Sequence, residues 1–491
     1  MTSTSPATPA PSSALQQVQH VVVLMLENRS FDHMLGYLYA DNGNVSLKGD
    51  PFEGLTGTES NKDPSGSPVT VTGATPTTPN LYYLPGADPG EGYLATNNQL
   101  FGSATPTAAA DNSGFIIDYA YTLGWETRSP GWTVMPGTQP ADIMTMYTPA
   151  TLPVLSALAR GFAVCDHWYA SVPTETLPNR AFALAATSQG HMDDKTKTFT
   201  CPSIFGLLST HQLTWSVFGY DVAPLTRHTF TDITTADEQH FGLFSDFQAA
   251  AASGALPAFS FLEPSWSSTG NSEHPNYDVA SGEQLVLDVY RALRHGPAWD
   301  STMLVVTYDE HGGCYDHVPP PTGAVAPDNS AGEYGFAFDR FGLRVPTVLV
   351  SPLIEAGTVF RVPPGSVPLD HTSLLKTLEL RWGLPSLTAR DRAAPDFSAV
   401  LTLGTPRTDD PLAGTSPPVN TQPNPSAAIP SHLQQVHAEL VSRLPVSSDQ
   451  RLDDLRTASD YQRYIVQREQ AWHDAKCSGP QATRPQAQEP S

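Results

Sequence analysis

Two stretches of this sequence place acids at the end of an apolar run. Glu27-Asn28-Arg29-Ser30-Phe31-Asp32-His33 follows the run from Val21 to Leu26, and Asp309-Glu310-His311-Gly312-Gly313-Cys314-Tyr315-Asp316-His317 follows the run from Ser301 to Tyr308. Acids that leave an apolar strand side by side repel one another unless a proton or a cation lies between them. Glu27, Asn28, Asp309 and Glu310 together make an oxygen-rich cage suited to one hard divalent cation. The plainer readings are that Asn28 and Ser30 cap the next helix and that the second stretch is a solvated loop with incidental acids.

A third stretch, Ser171-Val172-Pro173-Thr174-Glu175-Thr176-Leu177-Pro178-Asn179-Arg180, carries a hydroxyl of interest. Proline is favoured in a first helical turn, so Pro178 puts Thr176 at a helix entry. Unpaired backbone N–H groups and the positive end of the helix dipole make such an entry a natural phosphate site. Beside a metal, Thr176 is a candidate nucleophile; its plain alternative is an ordinary N-cap. Glu273-His274-Pro275, with Asp278 close behind, sets an imidazole in a loop before a helix. There it either serves a leaving oxygen or a phosphate, or is a surface histidine.

Short apolar runs at 18–26, 258–262, 303–308 and 345–350 predict strands buried on both faces, and the run FAVCDHWYAS predicts another. Helical patterns cover 152–159, 179–190 closed by Gly190, 283–293 and 373–382. This alternation predicts an α/β fold with a mostly parallel central sheet and helices on both faces. Residues 41–115, polar and rich in Gly, Pro and Thr, read as long loops. Seven prolines within 405–430 predict a linker, and 432–444 and 452–475 are helical patterns. The expected division is a disordered leader over 1–17, a catalytic domain over 18–404, a linker over 405–430, a helical C-terminal appendage over 431–477 and a disordered tail over 478–491.

A chain of 491 residues buries a large core, and 49 acids against 26 Lys and Arg give a net charge of −23. That balance excludes non-specific binding to nucleic acid, though not one local phosphate site built around a metal. The start has no cation before Arg29 and no apolar signal core, and its longest early apolar run is far short of the ~20 residues of a membrane span. A soluble protein is expected, with its compartment open. The four cysteines show no CxxC spacing, which argues against a zinc site and leaves free thiols or two bridges open.

The segments VVLMLENRSFDHMLG, LPVLSALARGFAVCDHWYASVP, TLPNR, EHPNYDVASGEQLV, VVTYDEHGGCYDHVPPP, FGLRVPTVLVSP, LDHTSLLKTLE and TPRTDDP follow one another over residues 18–411. In that order they resemble the phosphoesterase family of non-specific phospholipases C and related acid phosphatases, within the alkaline-phosphatase-like superfamily. The resemblance implies an alkaline-phosphatase-like fold and a divalent metal (Ca, Mg, Mn or Zn) held by Glu27, Asn28, Asp309 and Glu310. It also implies Thr176 as the nucleophile and His274 as a contact to the phosphate or leaving group. In Asp88-Pro89-Gly90-Glu91, Glu91 stands where many members carry histidine. A carboxylate facing a phosphate costs about 1–4 kcal/mol at ~4 Å. Glu91 therefore points away, is protonated, or meets a different substrate such as one with a cationic head group. A further active-site histidine is expected from His228 or His240, and Arg180 either clamps phosphate or forms a structural ion pair. His311, Asp316, His317, Asp370 and His371 are expected to play supporting roles, Asp370 as a helix cap.

The function this implies is metal-dependent hydrolysis of phosphoric esters of phospholipase C type, through a phospho-threonine intermediate. A phosphomonoesterase with the same chemistry is the alternative enzyme. A lapsed homologue acting as a binding module is the alternative outside catalysis. The expected partners are a phospholipid or small phosphate ester and, transiently, a membrane surface, with no nucleic acid; the oligomeric state stays open.

Overall fold

The computed structural model describes residues 13–106, 109–129, 131–448 and 450–478. Its centre is an eight-stranded sheet built from β1 (His20–Leu26), β2 (Ala163–Val164), β3 (Trp215–Gly219), β4 (Phe241–Leu243), β5 (Phe259–Leu262), β6 (Thr302–Tyr308), β7 (Thr347–Val350) and β8 (Thr358–Val359). The spatial order is β8-β2-β7-β6-β1-β5-β3-β4. All neighbours run parallel except β7, which is antiparallel to both β6 and β2. Val21 to Leu26 and every residue of β5, β6 and β7 are buried. Such unbroken burial is what runs of Val, Leu and Met without polar alternation require, and helices flank the sheet accordingly.

Register decides where the acids go. In the parallel pair β1–β6, Leu26 lies opposite Tyr308. Glu27 and Asp309 are the next residues of each strand, so the sheet delivers both at the same edge. The helices that surround this edge are α1 (Phe31–Leu35), α2 (Tyr93–Phe101), α3 (Thr176–Ala185), α4 (Val279–Arg294), α5 (Thr372–Trp382), α6 (His432–Ser442) and α7 (Ala458–Ser478).

Three expectations change. The FAVCDHWYAS run splits into β2 and a separate pair, Trp168–Tyr169 beside Leu369–Asp370. Asp166 lies between the two pieces, buried, its carboxylate held by Arg361 and the Glu53 amide rather than exposed at a strand edge. Within 41–115, α2 replaces loop. Its buried face is Thr96, Asn97, Gln99 and Leu100, three polar side chains out of four, so no apolar period marks it. The helix predicted to close at Gly190 ends at Ala185, with Ala186 in the left-handed region at φ 57°.

Ser13–Gln17, placed in the leader by composition, forms a short helix with Leu15 buried. The earlier leader residues and all of 479–491 lie outside the described residues. Residues 405–430 are held against the body: Tyr83 Oη donates to Gln422 O at 3.0 Å, and Ser268 Oγ to Ser426 O and Ile429 O at 2.9 Å. α6 packs Leu433, Val436 and Leu440 on Leu177, Leu225 and Trp266, while Ala438 and Val441 meet Tyr464 and Ile465 of α7. Cys165, Cys201 and Cys314 are free thiols. Among the described residues, no helix is long and apolar enough to cross a membrane.

One buried cation ties the loop after β6 to α1. Arg344, fully enclosed, donates from Nη2 to Asp32 Oδ1 at 2.8 Å and from Nε to Asp316 Oδ1 at 2.9 Å, and covers the Phe31 ring at 4.6 Å. His317 Nδ1 joins Asp32 at 2.6 Å. Removing one partner of a buried ion network strands the others without solvent. Arg344→Met should therefore lower stability by about 3–5 kcal/mol, read as a fall in the urea midpoint with an unchanged slope.

Candidate active site

Asn28 leaves β1 in the left-handed region, φ 57°, a conformation asparagine tolerates better than most residues. Asp309 holds it there: Oδ1 accepts Asn28 N at 2.9 Å and Glu310 N at 2.8 Å. Asp309 Oδ2 accepts Arg180 Nε at 2.9 Å. Arg180 also donates from Nη2 to Leu26 O at 2.8 Å and Met25 O at 3.2 Å, and its guanidinium lies 4.6 Å from the Trp266 ring. Arg180 thus pins α3 to the end of β1, a structural ion pair that leaves only Nη1 without a partner. Gly312, at φ 58°, packs so tightly on this turn that a Cβ would lie 2.0 Å from Asn28 O.

Thr176 is the first residue of α3, and its hydroxyl donates to Asn28 Oδ1 at 3.0 Å. The other end of the same amide, Nδ2, donates to Glu91 Oε2. Glu310 is completely buried; Oε2 accepts Gly312 N at 2.7 Å, and Oε1 has no hydrogen-bond partner. His274 Nδ1 engages Pro275 O at 2.9 Å, and its Nε2 lies 3.8 Å from Asp88 Oδ1 and 4.0 Å from Glu91 Oε2.

These groups border a cleft of about 840 Å³ lined by Asp88, Glu91, Trp132, His274, Tyr277 and His432, among others. Glu91 reaches from that lining to Asn28, and the Thr176–Asn28 pair behind it is buried.

Burial dominates the electrostatics. It pushes Glu27, Asp88 and Asp194 up to about 7 and Glu175 to about 8, and Glu91 and Glu310 well above the carboxylate range. Neighbouring acids add to the rise, Asp309 at Glu27 and Glu310, and Asp88 at Glu91. So many clustered acids, offset among arginines and lysines by Arg180 at Glu27, Arg29 at Asp88 and Lys197 at Asp194, call for protons or a cation. The donor types fit a hard divalent ion: all oxygen, with Glu310 Oε1 buried and unpartnered, Glu27 close enough to Asp309 for the two charges to repel, Asn28 Oδ1 at Thr176, and one lone pair left on Asp309 Oδ2.

The remaining sequence candidates divide. His311 bridges Glu310 Oε2 at 3.1 Å and Gln99 Oε1 at 2.7 Å, and His371 Nε2 engages Asp309 O at 2.6 Å, so both brace the acids from behind. Asp316 and His317 belong to the Arg344 network. Asp370 accepts Thr372 N at 3.1 Å at the start of α5 and pairs with Arg390 at 3.0 Å. His228 and His240 are not at the cleft. His228 pairs with Glu469 of α7, and His240 stacks on Trp215 at 3.9 Å beside the edge strand β4.

The further imidazole is instead His432, at the start of α6, whose Nε2 meets Asp194 O at 3.1 Å. Asp194 Oδ1 in turn accepts Leu177 N at 2.6 Å, next to the candidate nucleophile. Glu175 Oε2 accepts Asp194 N at 2.5 Å. Glu175 and Asp88 could have been found as neighbours of Thr176 and Glu91. Asp194 and His432 carry no local motif.

An α/β sheet that gathers acids, a helix-entry hydroxyl and an imidazole at one strand edge defines a hydrolase acting on phosphoric esters, and the chain belongs to the phosphoesterase family, whose profile matches residues 18–385. Among its relatives, Non-specific phospholipase C6 of Arabidopsis thaliana is 36% identical over 84% of this chain and 78% of its own. Non-specific phospholipase C3 of the same plant is 34% identical over 82% and 76%. Phospholipase C A of Mycobacterium tuberculosis is 29% identical over 80% and 78%. A solved structure described as a protein in the alkaline phosphatase superfamily from Vibrio parahaemolyticus aligns at a TM-score of 0.29 and 13% identity, covering 51% of this chain and 64% of its own, an overlap too low to bear on the argument.

The raised carboxyls set a pH dependence. Where the folded pKa exceeds the unfolded one, the folded state holds protons the unfolded state has lost, so stability falls as pH rises through that window. Stripped of divalent ions, the protein should lose several degrees of melting temperature between pH 6.5 and 8.5. The buried His33, His311 and His371, whose pKa values burial lowers, oppose this chiefly below about 7. Adding Mg²⁺ or Ca²⁺ should restore more stability at pH 8.5 than at pH 6.5, measured by calorimetry.

Proposed function

We propose that this phosphoesterase is a metal-dependent hydrolase of phospholipase C type, which releases diacylglycerol and a phosphorylated head group through a phospho-threonine intermediate. The observation that carries the reading is the Thr176 hydroxyl, seated at the first turn of α3 and bonded to Asn28 within the acid cage. Thr176 Oγ attacks phosphorus and releases its proton to solvent, a new O–P bond forms, and the bond to the glycerol oxygen breaks. His274 Nε2, facing the cleft, supplies the proton that the leaving oxygen takes up. Water then cleaves the phospho-threonine and frees the enzyme.

Glu27, Asn28, Asp309 and Glu310 would hold the divalent cation. Bound there, such an ion draws charge from the phosphoryl oxygens and lowers the pKa of the attacking hydroxyl. Glu91 sits between this cage and the cleft with its pKa pushed well above the carboxylate range. As a neutral carboxyl it donates to a phosphate oxygen instead of repelling it.

A lipid substrate is favoured over a small soluble ester by the surface beside the cleft. Ile117, Tyr121 and Trp125 are exposed at four-residue spacing on the helix Phe115–Glu126, which places them on one face. Trp125 meets Trp132 edge-on at 5.2 Å, and Trp132 lines the cleft. Exposed aromatics continuous with a substrate cleft suit a lipid–water interface.

Thr176→Ala should lower turnover roughly a thousandfold or more, whereas Thr176→Ser should retain most of it, on phosphatidylcholine and on p-nitrophenyl phosphate alike. Acid quenching during turnover should trap phosphate on Thr176 of the wild type. Wild-type turnover in Thr176→Ala, or activity confined to the monoester, removes this reading. The pair Tyr121→Ser and Trp125→Ser should cut activity on phosphatidylcholine vesicles about tenfold while sparing a soluble, monomeric substrate.

A further inference from the structure

Three clusters of acids and imidazoles lie in the described structure, and only the one at His228, His437 and Glu469 is wholly buried. Asp88, Glu91 and His274 belong to the cleft. Asp32, Asp316 and His317 surround Arg344, whose guanidinium fills the position a cation would take. The third has no such filler. His228, from the short helix Thr226–Thr229, meets His437 of α6 and Glu469 of α7, with one donor atom from each within 4.8 Å of the other two.

His228 Nε2 contacts Glu469 Oε1, and His437 Nε2 approaches the same oxygen to 3.9 Å. His437 is only 1 % exposed, yet its Nε2 has no hydrogen-bond partner, and neither does Glu469 Oε2. A buried imidazole nitrogen left 3.9 Å from a carboxylate, beyond ordinary hydrogen-bond length, needs an explanation. The nearest cation, Arg227, lies 3.8 Å from Glu469 Oε2, but its charge is committed to Glu238 through hydrogen bonds of 3.0 and 2.5 Å.

We infer that His228, His437 and Glu469 form a structural metal site for zinc, joining the two C-terminal helices to the catalytic body. Two imidazoles and one carboxylate are a donor set that zinc takes readily and that Mg²⁺ and Ca²⁺, which prefer oxygen, do not. Four-coordinate zinc holds such donors at about 2.1 Å, which sets them roughly 3.4 Å apart. His437 closes in, His228 backs off, and the fourth position is left for water. The site is chemically distinct from the oxygen cage at Thr176, and it holds α6 where His432 reaches the cleft. It does not depend on the catalytic assignment above.

The test uses the full chain, prepared without chelators and equilibrated with Zn²⁺ in the presence of excess Mg²⁺ or Ca²⁺ to occupy the oxygen cage. One equivalent of zinc should remain after gel filtration, and His437→Ala or Glu469→Gln should each lose it. In the Co²⁺-exchanged wild type, the visible bands of a four-coordinate ion should appear. Because either variant could misfold, zinc-edge absorption of the wild type supplies an independent reading: a first shell with two imidazoles supports the site. A shell of oxygen alone, or zinc retention equal in the wild type and a folded His437→Ala, overturns it.

Discussion

The arrangement depends on one carboxylate. Asp309 is fully buried, and it accepts two amides on one oxygen and the Arg180 guanidinium on the other. Charge-assisted bonds of this kind are the strong ones, and here they do three separate things. They hold Asn28 in a left-handed turn that aims its side chain at Thr176. They turn the chain so that Glu310 faces inward. They also lock the start of α3 to the last carbonyls of β1. Without Asp309, the parallel register of β1 and β6 would still bring two acids together, but nothing would give them a common direction.

Around that anchor the acids are arranged in tiers. His311 and His371, both buried with lowered pKa values, stay neutral and brace Glu310 and the Asp309 carbonyl without adding charge. Arg344 neutralises Asp32 and Asp316 farther out. Nearer Thr176, Asp309 has Arg180, but neither Glu91 nor Glu310 is paired with an arginine or lysine. That imbalance separates a site prepared for an external ligand from a settled ion-pair network.

Much of this was legible in the sequence because fully buried strands announce themselves. The runs ending at Leu26 and Tyr308 contain no polar alternation, and each is followed at once by acids or amides at the sheet edge; β5 is likewise followed by buried Glu263, which instead caps the backbone at Leu225 and Thr226. α2 was invisible for the opposite reason: it turns Thr96, Asn97 and Gln99 inward, and amides carry no apolar period. The imidazole at the cleft was expected from His228 or His240, nearer in sequence to His274. It comes instead from His432, brought by a helix whose apolar face docks on Leu177 and Trp266. A contact made by docking two distant segments leaves no local spacing to read. The proline-rich stretch 405–430 forms no helix or strand and yet follows a fixed path, since prolines exclude regular structure but not hydrogen bonds along one route.

That stretch has a kinetic meaning. Residues 405–430 are stitched to Tyr83 and Ser268, so the chain leading into α6 has little slack. A short, already ordered tether raises the effective concentration of the segment it carries, and rebinding after any transient release becomes intramolecular and fast. The wall of the cleft formed by Ser426, Ile429, Ser431 and His432 is therefore held in place by contacts that lie far from it in sequence. A backbone break within the stitched stretch would turn that intramolecular contact into an ordinary association and loosen the wall, while leaving the sheet beneath untouched.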